Sequence, residues 1–304
     1  MKEFTLTIFN RLFLIFSFAV LFSTQATAII GGSDATRGEY SEFARITVFN
    51  SDNTAILGFC SGTLIAPNKV LTAARCILSS STLSYIVIPS FYSYNDTVSI
   101  NDQFQVESIV THPDFDPVTF ENDIAIITLV TFNRPTITAT PASIHTGGAT
   151  FNESIARAVG AGADSSMAEP ASGIIQEIDV PVTSNEMCND SYQALQNETP
   201  VTETMMCTGF AENANGACLG DDLRDNGGPL LVTVDEQRVL VGVASFSINP
   251  CEENRATQVY SRLSEFTSFI AEQSPETNFV EIDEPEVEEQ TTVISPITTL
   301  LLDE

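Results

Sequence analysis

Short apolar-rich segments recur along the chain, and clusters of Gly, Pro, Asn and Asp separate them. The clearest of these segments are 45–48, 57–65, 124–130 and 239–245. Many short strands with frequent turn signals are typical of a β-sandwich or a β-barrel, so the pattern predicts an all-β protein. Apolar positions repeat with a helical period only at 263–272, which predicts a short helix near the C-terminus.

The N-terminal segment has the pattern of a secretory signal peptide. Lys2 and Arg11 precede an apolar run at 12–22, and Ala26 and Ala28 follow it in the A-x-A arrangement. We predict a signal peptide over 1–28, cleavage after Ala28, and a secreted, extracellular mature chain. A membrane anchor is the alternative interpretation, but the run is shorter than the roughly 20 residues of a spanning helix. No other segment predicts a membrane span.

The composition changes again at the C-terminal end. Residues 274–304 contain nine acidic residues, no basic residue and three prolines. Such a segment predicts a disordered acidic tail. Its last part, 293–302, is apolar and rich in Thr, and it leaves open a tail that docks on a partner or on its own domain.

The net charge excludes several classes of partner. The 304 residues include 12 Lys and Arg against 40 Asp and Glu, which gives a formal net charge of −28. Binding to nucleic acid or to an anionic membrane needs the opposite sign, so neither is expected. The acidity favours a basic protein partner, although solubility alone also explains it. A composition that is 43% apolar, with 20 Phe, supports a folded core.

The six cysteines form an even set, as in disulfide-bonded extracellular proteins. They are Cys60, Cys76, Cys188, Cys207, Cys218 and Cys251. Six cysteines allow 15 connectivities, and spacing does not choose among them. With two His and no C-x-x-C pair, the sequence predicts no metal site and no cofactor. Four N-x-S/T sequons predict exposed, glycosylated loop positions in a eukaryotic host: Asn95, Asn152, Asn189 and Asn197.

Four segments share motifs with one known family. They read IIGG at 29–32, LTAARC at 71–76, NDIA at 122–125 and NGGPL at 226–230. In this order they resemble the mature N-terminus, the histidine segment, the aspartate segment and the end of the serine segment of trypsin/chymotrypsin-like serine proteases. The resemblance covers 29–273. It implies two six-stranded antiparallel β-barrels that meet near 134–145, a short C-terminal helix, and an active site between the barrels.

The resemblance also implies the disulfide pairing. Cys60–Cys76 would close the loop beside the histidine segment, and Cys188–Cys207 would close an excursion of the second barrel. Cys218–Cys251 would brace the specificity pocket. All six cysteines are then structural, and no thiol nucleophile is left.

The catalytic positions depart from the family pattern. A catalytic triad needs an imidazole that takes a proton, and Arg75 stands at the histidine position. Arginine keeps its proton at physiological pH, so it does not act as a general base. Asp123 matches the family aspartate. We expect Arg75 and Asp123 to form a static, charge-assisted ion pair.

The serine position is also altered, because four residues are inserted between Cys218 and Gly227 relative to the family spacing. Aligned from the glycines, Asn226 occupies the serine position and Arg224 that of the oxyanion-hole glycine. Aligned from the cysteine, Asp222 occupies the serine position. Neither register supplies a hydroxyl, and the insertion disturbs the turn that aims the oxyanion-hole amides. We therefore expect no functional catalytic residue.

The activation switch of the family is partly kept. In the family, a new N-terminal Ile inserts beside the Asp that precedes the serine, and here Ile29 and Asp225 match these positions (Asp221 in the other register). Because Ala28 precedes Ile29 in place of a basic residue, we predict that signal peptidase itself exposes Ile29.

The specificity pocket has changed as well. Gly216 stands where trypsin-like members carry Asp, and Ala217 follows it. Phe246 and Gln258 match the two pocket walls, and Gln258 replaces a usual glycine. The resemblance therefore implies a narrowed pocket that does not recognise Arg or Lys substrates.

These features predict a secreted, non-catalytic serine protease homologue that acts by binding a protein, as a cofactor, a decoy or an inhibitor. The alternatives are an active trypsin-like endopeptidase with rearranged catalytic residues and a structural glycoprotein. The sequence leaves the oligomeric state open.

Overall fold

Antiparallel strands dominate the computed structural model. It describes residues 29–30, 32–78, 83–133, 136–161, 173–196, 200–209, 218–219, 225–247 and 257–283. The predicted signal peptide, 1–28, lies outside these residues.

The first half of the chain folds into a closed barrel of six strands. Two short strands come first, and the eight strands of this half are β1 Ile29–Ile30, β2 Ser33–Asp34, β3 Phe43–Phe49, β4 Ile56–Ala66, β5 Lys69–Thr72, β6 Ser84–Pro89, β7 Phe104–Thr111 and β8 Ala125–Leu129. The barrel order is β3-β4-β5-β8-β7-β6, and all its pairings are antiparallel. Ile46 and Leu64 are fully buried, as expected for apolar residues on the inner face of a barrel, and Phe43 is fully buried on the opposite face of β3.

The second half forms another closed barrel. Its strands are β9 Ser143–His145, β10 Ile155–Gly160, β11 Gln176–Thr183, β12 Met205–Thr208, β13 Cys218–Leu219, β14 Pro229–Val234, β15 Gln237–Ser247, β16 Gln258–Arg262 and β17 Phe279–Val280. Six of them, in the order β14-β10-β11-β12-β16-β15, close when β15 pairs with β14. The predicted fold of two six-stranded barrels is therefore confirmed. The chain passes from one barrel to the other between β8 and β10, the region that contains the predicted junction.

Two helices accompany the strands in the described residues. α1 spans Asn185–Gln196, and α2 spans Thr267–Gln273 after a 3-10 turn at Leu263–Phe266. α2 confirms the predicted C-terminal helix. The sequence did not predict α1, because its polar sequence buries little besides Cys188 and Tyr192 on one face.

Two of the three expected disulfide bonds are present. Cys60 is bonded to Cys76, and Cys188 is bonded to Cys207. The first bond joins β4 to the turn that carries Arg75, and the second fixes α1 to β12. The expected Cys218–Cys251 bond involves a residue outside the described part of the chain.

The folded domain extends beyond the predicted start of the tail. Ser274 is fully buried, and β17 pairs in parallel with β9 at the edge of the second sheet. Phe279 and Ile282 pack against the apolar clusters of the domain. Ten residues of the predicted disordered tail, 274–283, are thus part of the fold, and 284–304 lie outside the described residues. Among the helices that the structure describes, none is long and apolar enough to cross a membrane.

Candidate functional site

Asp123 lies at the centre of the cleft between the two barrels, and its side chain is fully buried. Its Oδ1 accepts a hydrogen bond of 2.7 Å from the main-chain N–H of Arg75, and its Oδ2 accepts one of 2.6 Å from the Ser245 hydroxyl. The Ser261 hydroxyl donates to the Asp123 main-chain oxygen at 2.8 Å. Asp123 therefore connects the first barrel, which provides Arg75, to strands β15 and β16 of the second.

The electrostatics of Asp123 are governed by its burial. Burial raises the pKa of the carboxyl group above its ordinary value of 3.8. The hydrogen bonds from Ser245 and from the Arg75 amide lower the pKa, and the positive charge of Arg75 lowers it further, but burial outweighs them.

Arg75 occupies the position expected for the family histidine, in the 3-10 turn Ala74–Cys76 that follows β5. Its Nη1 donates a hydrogen bond of 2.7 Å to the Ser245 carbonyl oxygen. Its guanidinium carbon lies 4.1 Å from the centre of the Phe120 ring, a cation–π contact.

The expected Arg75–Asp123 contact is formed differently from the prediction. The two residues are hydrogen-bonded through the Arg75 main-chain N–H, and the guanidinium group reaches the Ser245 carbonyl. The two carboxylate oxygens accept from the Arg75 amide and from the Ser245 hydroxyl. The guanidinium acts on Asp123 by its charge alone, as a secondary influence.

Phe120 is a cleft residue that the sequence did not single out. Its backbone has a φ of +56°, which bulky residues rarely adopt. Its ring lies 5.6 Å from the ring of Phe246, which in turn lies 6.2 Å from Tyr192 on α1. Arg75, Phe120, Phe246 and Tyr192 thus form a continuous row across the cleft. These four residues are far apart in the sequence. Only a prediction of positive φ at Phe120 would have identified that residue as unusual.

The turn 225–227 brings Asn226 to the same cleft. The Asn226 main-chain oxygen accepts a hydrogen bond of 2.9 Å from the Ser61 N–H and lies 3.5 Å from the Cys76 Sγ. Gly227 adopts a φ of +83°, and a Cβ there would lie 2.2 Å from the Ser61 main-chain oxygen. The chain at Gly227 therefore approaches the first barrel more closely than any residue with a side chain allows. Asp221, Asp222 and Arg224 lie outside the described residues.

Ile29 and Asp225 are the expected insertion pair, and the structure describes the contacts of each residue. Ile29 pairs with Leu219 in the two-stranded β1-β13 sheet. Asp225 is buried; burial raises the pKa of the nearby Tyr260, and the charge of Asp225 raises it further. Insertion of a free Ile29 amino group beside Asp225 concerns the cleaved chain and stays a prediction.

One wall of the expected specificity pocket is described. Gln258 is buried, and its Nε2 donates to the main-chain oxygens of Phe246 and Val259 at 3.0 and 3.3 Å. The side chain that replaces a glycine therefore bridges the two walls. Gly216 and Ala217 lie outside the described residues.

The sequons differ in their surroundings. Asn95 and Asn152 are exposed, and Asn152 lies in the turn before β10. Asn189 lies on α1, and its side-chain amide both donates to the Val201 main-chain oxygen and accepts from the Val201 N–H at 2.9 Å. Asn197 lies outside the described residues.

Neither histidine is among the residues that contact the Asp123 side chain in the described cleft. His112 contacts the rings of Phe266 and Phe269 beside α2. His145 lies on β9 against Phe151 and is 2% exposed. Burial lowers the pKa of His145, and the charge of Glu281 partly opposes this effect.

Several known proteins are similar to the chain. The proclotting enzyme of Tachypleus tridentatus is 28% identical over 266 residues, which cover 82% of this chain and 67% of that protein. Serine protease 56 of Mus musculus is 30% identical, over 81% of this chain and 38% of that protein. Venom serine protease Bi-VSP of Bombus ignitus is 29% identical, over 79% of this chain and 66% of that protein. The chain thus spans two thirds or less of these proteins.

The fold agrees with these similarities. A solved structure described as HL collagenase superposes with a TM-score of 0.65 at 23% identity, and the match covers 81% of this chain and 99% of that one. The family described as Trypsin matches residues 29–270, almost the whole of both barrels. This chain is therefore a member of the trypsin family.

Proposed function

We propose that the protein is a secreted, non-catalytic member of the trypsin family that acts by binding another protein, as a cofactor, a decoy or an inhibitor. The observation that carries the proposal is the arrangement of Arg75. A permanently protonated side chain occupies the position of the general base, and its guanidinium group is held by the Ser245 carbonyl and the Phe120 ring. A proton acceptor for a nucleophile is therefore missing from that position.

The nucleophile position supports the same proposal. No Ser or Thr occurs between Cys218 and Pro229, so neither alignment of the inserted loop supplies a hydroxyl. The turn at Asn226 and Gly227 is bonded to Ser61 and Ala244 as part of the barrel packing. This part of the cleft holds the barrels together without any catalytic requirement.

Secretion fits the covalent structure. The signal-peptide pattern at 1–28 and the two disulfide bonds of the described barrels suit an oxidising, extracellular compartment. Two relatives are named as a proclotting enzyme and a venom serine protease, and these names support an extracellular role for this chain.

The contacts of the described Arg and Lys residues support a basic protein partner. Seven described residues are cationic: Arg37, Arg45, Lys69, Arg75, Arg157, Arg238 and Arg262. Each contacts a group of its own fold; Arg157, for example, pairs with Asp179 and Glu177. With a net charge of −28, the surface is left strongly negative. Such a surface attracts a positively charged protein and makes the association rate sensitive to salt.

A fluorophosphonate probe for activated serines, together with a mixture of peptide substrates, tests the loss of catalysis. The purified full chain is compared with the variants Asn226→Ala and Asp222→Ala. We expect no labelling and no cleavage by any of the three proteins. Labelling or cleavage by the wild-type protein that disappears in either variant would overturn the proposal, whereas activity equal in all three would identify a contaminating protease.

The binding role is tested separately by capture from the secretion that contains the protein. We expect a saturable protein partner with an isoelectric point above neutrality, and an association rate that falls as salt increases. Reversal of the charge of the exposed Glu203 with Glu203→Lys is compared with the neutral surface change Thr233→Ser, and the association rate should fall only in the first variant. A partner that binds equally fast at low and high salt would contradict the electrostatic part of the proposal.

A further inference from the structure

The first barrel has an open groove between two of its strands. β6 and β7 are paired only at Ile86 with Gln105 and at Val87 with Phe104. Beyond these pairs the strands diverge, and the pairing of β7 with β8 shifts register between Val106 and Ser108. A groove of about 580 Å³ opens between the diverging strands.

The groove is lined mainly by apolar side chains. Those used here are Leu78, Leu83, Tyr85, Ile86, Val106 and Ile109. Leu78 is 44% exposed, although leucine is usually covered in a folded domain. Glu107 is the one charged residue among the described residues of the lining.

The edges of the groove are strand edges. Since the β6–β7 pairing stops at Ile86 and Gln105, no described strand pairs with the groove-facing main-chain groups at 84–85 and 106–109. An apolar floor beside open strand edges is the arrangement that accepts an extended peptide by strand addition.

We propose that the groove binds residues 293–302 of the same chain, the uncharged segment VISPITTLLL near the C-terminus. The segment is rich in apolar and β-branched residues, which favour an extended strand, and it matches a groove that contains a single charge. Pro296 lacks an N–H and is compatible only with pairing on one side, as at an open edge. The acidic residues of 284–289 would stay in water between the domain and the docked segment.

The described part of the C-terminal extension already docks in this way. β17 adds to β9 as a strand, and Phe279 and Ile282 anchor it on the domain. The extension follows α2, whose Phe269 contacts His112 directly after the end of β7. From this helix the extension runs along the second barrel, where Ile282 packs, and the docking segment follows from Asp283.

The length of the remaining chain is sufficient. Twenty-one residues follow Asp283, and the nine residues 284–292 precede the proposed docking segment. Nine extended residues span about 30 Å at roughly 3.3 Å each, which is a large part of the diameter of a domain of this size. This span is long enough for the segment to dock on its own molecule, so the proposal requires no second copy.

Amide hydrogen exchange on the full chain tests the proposal. The double variant Ile297→Asp with Leu301→Asp places charges in the docking segment and leaves the described domain unchanged, and Glu286→Gln in the acidic spacer is the matched control. We expect the amides of 106–109 to exchange about ten-fold faster or more in the double variant, and at the wild-type rate in the control. Equal exchange in wild type and double variant would overturn the proposal.

A photoreactive phenylalanine analogue at Leu300 locates the segment directly. The expected cross-link joins it to 83–86 or 105–109 within one molecule, with a yield that is independent of protein concentration. Cross-links to another surface would overturn the proposal. Cross-links between two molecules that increase with concentration would also overturn it, because they would assign the groove to a second copy of the chain.

Discussion

The hydroxyl of Ser245 donates a hydrogen bond of 2.6 Å to Oδ2 of the fully buried Asp123. Ser245 belongs to a strand of the second barrel, and Asp123 precedes the last strand of the first. Because Ser261 also donates to the Asp123 main chain, this aspartate joins the two barrels at their interface. These contacts give Asp123 a structural role at the interface of the two barrels.

The variant Asp123→Asn tests this structural role through pH. Burial raises the pKa of Asp123 in the folded state, so its stabilising contribution is present below the ordinary pKa of 3.8 and is lost as pH rises through the folded-state pKa. An asparagine does not titrate, and its oxygen and amide suit the Arg75 N–H and the Ser245 oxygen. We expect the free energy of unfolding of Asp123→Asn to rise relative to wild type as pH increases from about 3 to about 7.

Denaturant unfolding at several pH values measures the difference. Asp123→Ala is the companion variant, because it leaves the Arg75 amide and the Ser245 hydroxyl without their acceptor. It should lose about 2 kcal/mol or more at any pH. A difference between wild type and Asp123→Asn that stays constant with pH would show that Asp123 is not titrating in a buried site.

Much of this fold was predictable, because many short strands and four motifs occur in one order. The position of Arg75 was also predictable, but the direction of its side chain was not. The acceptor, the Ser245 carbonyl, is 170 residues away in the chain, and the Phe120 ring that covers the guanidinium depends on a positive φ. Only the assembled barrels bring these groups together.

Two other features could not be predicted from the sequence because they depend on contacts between distant residues. α1 is polar in sequence and is fixed by a disulfide bond and by Tyr192, so its helical period is weak. The extension 274–283 has the acidic composition of a disordered tail, yet Phe279 and Ile282 are enough to anchor it when β9 offers a strand edge. A strand of two residues has no period that a sequence pattern could reveal.

The close approach at Gly227 predicts a large effect of a single methyl group. Gly227→Ala would combine a φ of +83° with a contact of 2.2 Å to the Ser61 main-chain oxygen. We expect a loss of more than about 3 kcal/mol of unfolding free energy, measured by denaturant titration. Gly38→Ala is the control, because Gly38 has a φ of +82° but no atom within 4 Å of the added carbon.

The control should lose only about 1 kcal/mol, the cost of the left-handed conformation itself. Similar losses in the two variants would mean that the backbone at Gly227 moves away from Ser61 without difficulty. The turn that carries Asn226 would then be less constrained than its contacts indicate.

His145 predicts a loss of stability in mild acid. Its burial on β9 lowers its pKa below the ordinary value of 6.5, so its neutral form is favoured in the fold. The stabilising contribution is present above pH 6.5 and is lost as pH falls through that value toward the folded-state pKa. We expect His145→Leu to gain stability relative to wild type as pH falls from about 7.5 to about 5, measured by thermal unfolding.

Glu281 provides a check on this prediction. Its charge opposes the lowering of the His145 pKa, so Glu281→Gln should make the wild-type loss in acid larger. A melting temperature difference between wild type and His145→Leu that does not change over this pH range would contradict the buried, neutral state of His145.

The sequons should differ in occupancy. Asn152 lies exposed in a turn, whereas the Asn189 amide is bonded twice to Val201 on a helix. We expect a glycan on Asn152 and none on Asn189 after expression in a eukaryotic secretory host. Enzymatic deglycosylation in heavy-oxygen water, followed by peptide mass mapping, identifies each occupied asparagine.

Stability measurements further distinguish the exposed Asn152 from the hydrogen-bonded Asn189. Asn189→Ala should lose about 1–2 kcal/mol, because two hydrogen bonds are removed. Asn152→Ala should change the stability of the unglycosylated protein by less than about 0.5 kcal/mol. A glycan on Asn189 would show that the asparagine is modified before α1 forms its hydrogen bonds with Val201.

Restoring the family residues should not restore proteolysis. The double variant Arg75→His with Asn226→Ser supplies an imidazole beside Asp123 and a hydroxyl at the serine position of the glycine-based register. The four-residue insertion before Gly227 remains in this variant. The N–H donors of an oxyanion hole must point at the developing negative charge, and each contributes a factor on the order of a hundred or more to the rate. We therefore expect no fluorophosphonate labelling and no peptide cleavage above the single variants. A third variant also lacks residues 221–224 and so has the loop length of the family. Proteolytic activity in this third variant alone would show that the insertion prevents catalysis in the double variant. Substantial activity in the double variant alone would show instead that the loop already presents a working oxyanion hole.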